Sequence, residues 1–271
     1  MQISPAKELL PFIRHYLFLE SSGNDVKKLR LFSDGNMGIV FSFKNNLLNG
    51  FDDIAQSEML PGSFLYGQIS EFKNVCLRNE TGLIIVVFQP TGINQLMGIP
   101  AHELNDSIIR TEYIFNKQGR QLYEKLAEQF TIQDKLRLLN AFFLEQLAKR
   151  MVPDDSLLRA ALNFIVKNKG LISSNQLVKL TGYTERQVER KFMESVGINP
   201  KKFSNIVKLH TFLKELKSNQ NNKNLTSMAY EAGYADQSHL IKEFKKITGM
   251  TPKIYQYNAD KLAINFVKLN S

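Results

Sequence analysis

Two short stretches of the chain gather the side chains best suited to chemistry. Arg186, Glu189, Arg190 and Lys191 lie within one, and Gln237, Ser238, Lys242 and Lys245 within the other. In each, apolar residues recur at i and i+4, Val188 with Phe192 and Leu240 with Phe244, so a helix would turn those inward and leave the polar set outside. What such faces offer is hydrogen bonding and positive charge toward a polyanion, not bond making. The rest of the sequence points away from catalysis. The single cysteine, Cys76, makes neither an internal disulfide nor a multi-cysteine metal site, and His15, His102, His210 and His239 never fall at ligand spacing. No nucleophile has a sequence-visible base beside it, and there is no phosphate-cradling loop. The chain is therefore not expected to be an enzyme, and no metal or cofactor is expected.

Charge agrees with that reading. Of 35 Lys and Arg and 26 Asp and Glu, residues 1–150 hold 16 and 16, and residues 151–271 hold the remaining 19 and 10, which is the whole net charge of +9. A neutral half joined to a basic half implies a basic module with a polyanionic partner. The longest apolar run, Leu83 to Phe88, is far too short to span a membrane, and the N-terminus, with Lys7, Glu8 and Arg14, has no signal-peptide core. A cytoplasmic protein without a membrane partner is expected.

The elements that must position the two polar faces are repeated. Gly182-Tyr183 recurs as Gly233-Tyr234, and Phe192, Gly197, Pro200, Lys201 and Phe203 recur as Phe244, Gly249, Pro252, Lys253 and Tyr255. A repeat of about 50 residues means two copies of one supersecondary unit. Each copy reads as a short helix (Asn175–Leu180, capped by Ser173 or Ser174; Ser227–Glu231, capped by Thr226), a glycine turn, and a second helix. Thr184 and Gln187 form a capping box at the start of the first of these second helices. Pro200 and Pro252 open the helices that follow, and a stiff helix over about 201–218 joins the copies. Helix, short turn and a helix with an Arg/Lys/Gln outer face make a helix-turn-helix.

The neutral half reads differently. Leu29–Phe32, Met37–Phe43, Phe64–Ile69, Val75–Arg78 and Leu83–Phe88 are predicted strands separated by turn residues, among them Asn79-Glu80-Thr81-Gly82, and Ile93–Met97 turns helical. After Asn116 the period becomes helical, with Leu122, Leu126 and Phe130 on one face and Leu136, Leu139, Phe143 and Leu147 on another. These two amphipathic helices either pack on their own sheet or form a dimer seam. Met151-Val152-Pro153-Asp154-Asp155 breaks the pattern, with the Asp pair as the next N-cap. The fold class is α+β: a small antiparallel β-sandwich or barrel over 1–115, a helical segment over 116–152, an all-α tandem helix-turn-helix domain over 153–257, and a tail over 258–271 that the motif does not cover. The aromatic residues Phe32, Phe41, Phe43, Phe64, Tyr66 and Phe88 are explained by core packing at least as well as by a ligand pocket. Cys76 reads as a buried small apolar residue, His15 and His102 as core or surface residues, and His239 as surface or phosphate-side.

The stretches LVKLTGYTERQVERKFMESVGINPKKF (177–203) and LTSMAYEAGYADQSHLIKEFKKITGMTPKIY (225–255) resemble the two helix-turn-helix units of the AraC/XylS transcription regulators. LFSDGNMGIVFSF, FLYGQIS and FQPTGINQLMGIPAHELNDSII resemble the cupin-like sensor domain that precedes this module in one branch of that family; the paired histidines and glutamate of a cupin metal site are absent. The resemblance implies base reading by Arg186, Glu189 and Arg190 from the first unit and by Gln237, Ser238 and Lys242 from the second. Thr184, Lys191, Lys245 and Lys246 would hold phosphates. The chain departs from the family at Val178 and Phe212, where a small Ala is usual, and at Gln256, where an Arg is usual, so packing is expected to differ there. The partners implied are double-stranded DNA, RNA polymerase, a second copy of the chain and a small-molecule effector of unspecified site. The alternatives for the first half are a dimerisation module with no ligand, or a small-molecule binding module with its own activity.

Overall fold

The computed structural model describes residues 1–21, 26–50, 57–77, 80–152, 155–218, 224–257, 259–263 and 265–269. Pro153 and Asp154 of the expected break, Arg78 and Asn79 near the expected turn, and Asn258 and Ile264 of the tail lie outside them. The N-terminal part runs through β1 (Gln2–Ile3), β2 (Ile13–Ser21), β3 (Lys27–Leu31), β4 (Gly38–Phe43), β5 (Leu48–Asn49), β6 (Glu58–Met59), β7 (Ser63–Tyr66), β8 (Lys73–Leu77) and β9 (Thr81–Phe88). It continues with α1 (Gly92–Met97), β10 (Ile108–Arg110), α2 (Thr111–Phe115), α3 (Lys117–Glu128) and α4 (Ile132–Ala148). The helical part is α5 (Ser156–Lys167), α6 (Ser174–Thr181), α7 (Glu185–Val196), α8 (Pro200–Ser218), α9 (Leu225–Glu231), α10 (Gln237–Thr248) and α11 (Pro252–Tyr257). The chain then returns to strand with β11 (Ala259–Ala263) and β12 (Phe266–Leu269).

The strands form two six-stranded sheets, ordered β1-β2-β9-β4-β7-β10 and β11-β12-β3-β8-β5-β6. Every pair is antiparallel. The wholly apolar stretch of β9 is explained by its central place, with both faces covered. Ile84, Val86 and Phe88 join a core with α3 and α4, where Phe88 meets Phe143 edge-on at 5.7 Å. Leu83, Ile85 and Val87 point the other way, into the space between the sheets, with Leu17, Val40 and Phe64.

Helices α3 and α4 thus pack on the N-terminal sheet through Leu122, Leu126, Leu139 and Phe143. Phe130 does not share that face: α3 ends at Glu128 and the Phe130 ring is fully exposed. The nine-residue β2 is an addition to the predicted strands, and the predicted strand over 64–69 closes early, at Tyr66.

The helical part holds two cores. Leu158, Leu162 and Ile165 of α5 pack with Leu177, Val188, Phe192, Phe203 and Ile206. Leu209, Phe212, Leu213 and Leu216 pack with Met228, Leu240, Phe244 and Tyr255. Helix α8 contributes to both and so joins them. Phe212, where the family resemblance would place a small residue, is fully buried edge-on to Phe244 at 5.9 Å.

The second core is not purely helical. Phe32, at the end of β3, and Val267 of β12 are both fully buried in it. The C-terminal hairpin β11–β12 forms one edge of the second sheet, beside β3, with Phe266, Val267 and Lys268 opposite Leu31, Arg30 and Leu29. Side chains alternate along a strand, so Phe266 enters the core between the sheets while Val267 enters the second helical core. The tail that the motif left unassigned therefore stitches the two parts together.

Candidate nucleic-acid interface

Helix α7 begins where the sequence predicts. Thr184 is its N-cap, and the Thr184/Gln187 capping box is formed: Thr184 Oγ1 accepts from the Gln187 N–H at 3.3 Å, and the Thr184 N–H donates to Gln187 Oε1 at 2.9 Å. Val188 and Phe192 are buried, so Arg186, Glu189 and Arg190 are left exposed on the outer face. Lys191 is half-buried, its ammonium 5.4 Å above the Tyr183 ring. Helix α6, before the turn, starts with a capping box between Ser173 and Gln176, which decides between the two serines.

The second unit follows the same plan with different caps. Helix α9 begins two residues earlier than expected and is capped by Asn224 rather than Thr226: Asn224 Oδ1 accepts from the Ser227 N–H at 2.7 Å. Thr226 does something else. Its hydroxyl donates to Gln237 Oε1 at 2.8 Å, so Gln237 is half-buried and engaged instead of free. Asp236 caps α10 by accepting from the His239 N–H at 2.7 Å. Asp155, the described member of the Asp pair, stands at the N-cap position of α5 without a side-chain cap bond. Leu240 and Phe244 are fully buried, and Ser238, Lys242, Lys245 and Lys246 are exposed. With Ile241 they line a shallow depression along α10. His239 is exposed, with Nε2 3.7 Å from Glu243 Oε1.

Both α7 and α10 end on a left-handed glycine, Gly197 (φ 88°) and Gly249 (φ 68°), and the N-terminal part grips each end. Asn105 Nδ2 donates to the Gly197 carbonyl at 2.7 Å, and Gln68 Nε2 donates to the carbonyls of Val196 and Gly35, both at 2.9 Å. Arg30 Nη1 donates to the Gly249 carbonyl at 2.7 Å while its guanidinium lies 4.3 Å above the Phe72 ring. On the connecting helix α8, His210 Nε2 donates to the Ser33 carbonyl at 2.9 Å, and burial pulls its pKa below the ordinary histidine value. None of Arg30, Gln68 or Asn105 is singled out by the sequence. They sit in the charge-neutral half, and their partners are main-chain carbonyls more than 90 residues away.

A cavity of about 900 Å³ lies between the sheets and opens toward the helical part. Its walls are apolar inside, with Leu17, Val40, Phe64, Leu83, Ile85 and Val87. Its polar lining comes from Arg14, His15 and Asp34 of the N-terminal part and from Arg159, His210 and Lys214 of α5 and α8. Tyr66 also lines it, its hydroxyl pushed far up in pKa by burial and by the nearby Asp34. The aromatic residues of the first half thus divide. Phe41 and Phe88 are core, Phe64 and Tyr66 face the cavity, and Phe32 belongs to the second helical core. Cys76 is fully buried. Among the described residues, no group of three His, Cys, Asp or Glu is placed to hold a metal ion, and no helix is long and apolar enough to cross a membrane.

A helix-turn-helix domain family model matches residues 177–258, the stretch from α6 to the end of α11 that carries both α7 and α10. Residues 177–258 are a helix-turn-helix domain. A family model described as a domain of unknown function matches residues 1–110. An uncharacterized HTH-type transcriptional regulator of Staphylococcus aureus is 28% identical over 93 residues, which is 34% of this chain and 12% of that protein. The match therefore spans about an eighth of the relative's length. Among solved structures, ToxT from Vibrio cholerae covers 89% of this chain and 97% of its own at 12% identity, with a TM-score of 0.48. A probable AraC family transcriptional regulator from Rhodopseudomonas palustris covers 36% of this chain and 92% of its own at 23% identity, with a TM-score of 0.34.

Proposed function

We propose that the chain is a sequence-specific transcription regulator whose helices α7 and α10 enter successive major-groove segments on one face of a DNA duplex. The observation that carries this reading is the pair of exposed polar faces on helices whose inner faces are fixed in two cores joined by α8. Arg186, Arg190 and Lys242 suit guanine O6 and N7, Glu189 suits cytosine N4, and Ser238 suits either kind of edge. Gln237 pairs with adenine through both amide atoms only after its oxygen leaves Thr226. Lys191, Lys245 and Lys246 supply phosphate charge. Thr184 has its hydroxyl and N–H engaged with Gln187, so its contribution to phosphate binding is to fix the start of α7.

In the same reading the cavity is the effector site, suited to a mostly apolar molecule with a polar end. Such an occupant would touch both parts of the chain. A second copy of the chain and RNA polymerase complete the set of partners. The decisive experiment is selection of bound duplexes from a random library by the full chain. The expected result is a motif of two conserved blocks about one helical turn apart; enrichment of no motif over input would overturn the reading.

A further inference from the structure

We propose that the N-terminal part is a bracket that sets the spacing and angle between the two recognition helices, with Asn105 and Arg30 as its positioning residues. The inference rests on the reading of α7 and α10 as DNA-reading helices and adds what fixes them relative to each other.

Each helix is held at the end away from its first turn. Asn105 and Gln68 bond to the last carbonyls of α7, at Gly197 and Val196. Arg30 bonds to the Gly249 carbonyl at the end of α10, where a cation also meets the negative end of the helix dipole. The grip at Gly249 is close-fitting: a Cβ there would lie 2.6 Å from the Phe72 ring, which itself lies beneath Arg30. Arg30 is also oriented from its other side, Nε donating to Asn74 Oδ1 at 2.9 Å. It stands opposite Val267 in the β3–β12 pairing, and Val267 is buried in the core that carries α10.

Leverage makes these grips matter. A 12-residue helix is about 18 Å long, so a tilt of about 10° at its capped end moves the far end by about 3 Å. That is close to the rise of one base pair, about 3.4 Å. Within the helix-turn-helix domain the two units are joined by helix α8 and by Leu171 against Gly233, whereas the bracket ties each recognition helix to the same pair of sheets. The grip at α7 leaves Gln68 Oε1 and Asn105 Oδ1 buried without a hydrogen-bond partner among the described residues. These two amides are therefore held in place for the bonds their NH₂ groups make.

The test uses the full chain and the two blocks found by selection, placed at the selected spacing and with one to five base pairs inserted or removed. The wild type is expected to lose affinity several-fold at every altered spacing. Asn105→Leu combined with Arg30→Met should flatten this profile while leaving the preference for each block over scrambled DNA intact. Loss of one positive charge weakens all duplexes alike and leaves the shape of the profile unchanged. Arg30→Lys in the Asn105 wild-type background keeps a donor and the charge, and should retain the wild-type profile. An unaltered spacing profile in the double variant, with its far-UV circular dichroism matching wild type, would overturn the bracket. If the double variant does not fold, the same comparison is made with Arg30→Met alone, and an unaltered profile there overturns it equally. Failure of the wild type to prefer either block over scrambled DNA would instead overturn the DNA-reading proposal beneath it.

Discussion

Replacing Phe32 by Ala tests whether the second helix-turn-helix unit and the sheet that carries β3 and β12 share one core. Phe32 is fully buried, lies edge-on to Tyr255 with ring centroids 6.4 Å apart, and packs in the cluster of Leu209, Phe212, Phe244 and Val267. Truncating a buried Phe costs about 3–5 kcal/mol through lost transfer energy and the cavity left behind. With a urea dependence of about 3 kcal/mol/M, a loss of about 4 kcal/mol lowers the unfolding midpoint by roughly 1.3 M. Urea titration followed by far-UV circular dichroism measures that shift, and hydrogen exchange of the α10 and β12 amides locates it. Both elements should lose protection together, although Phe32 belongs to neither. A midpoint shift below about 0.3 M, equivalent to about 1 kcal/mol at that slope, would refute the shared core. So would unchanged exchange in α10.

Two further predictions follow from charge. Lys246→Ala should weaken binding to selected and scrambled duplexes by the same factor and reduce the slope of log K against log salt by about 0.9, as measured by fluorescence anisotropy over a salt series. His210 has its pKa lowered by burial, so the folded chain resists the proton that the unfolded chain accepts. Stability should be at its plateau above the ordinary histidine value of 6.5 and fall as the pH drops below it, levelling off beneath the folded pKa. His15, lowered by burial and by Arg14, adds to the same trend. In His210→Gln the decline should be shallower, by urea titration at a series of pH values.

What the sequence made legible was local. Capping boxes, glycine ends and i, i+4 pairs lie within one helix or one turn, so the two helix-turn-helix units and the exposure of Arg186, Arg190 and Lys242 could be read from spacing alone. What depended on distant partners could not. The Gln237 amide is drawn aside by Thr226, eleven residues earlier on another helix. Phe32 and Phe64 are the same residue type, one just after β3 and one in β7, yet one fills a helical core and the other lines a cavity. Tyr16 to Leu19 in β2 form an apolar run that periodicity cannot assign to strand or helix. The pairing of β12 with β3 joins residues more than 230 positions apart, and nothing near Phe266 announces it.

The measurement that bears most directly on the central claim is a repeat of the random-duplex selection with Arg190→Ala and, separately, with Lys242→Ala. If α7 and α10 each read their own major-groove segment, Arg190→Ala should relax one position in one block, and Lys242→Ala one position in the other, each costing about 1–3 kcal/mol on the wild-type motif. Both variants returning the unaltered wild-type motif, or both relaxing the same block, would contradict it.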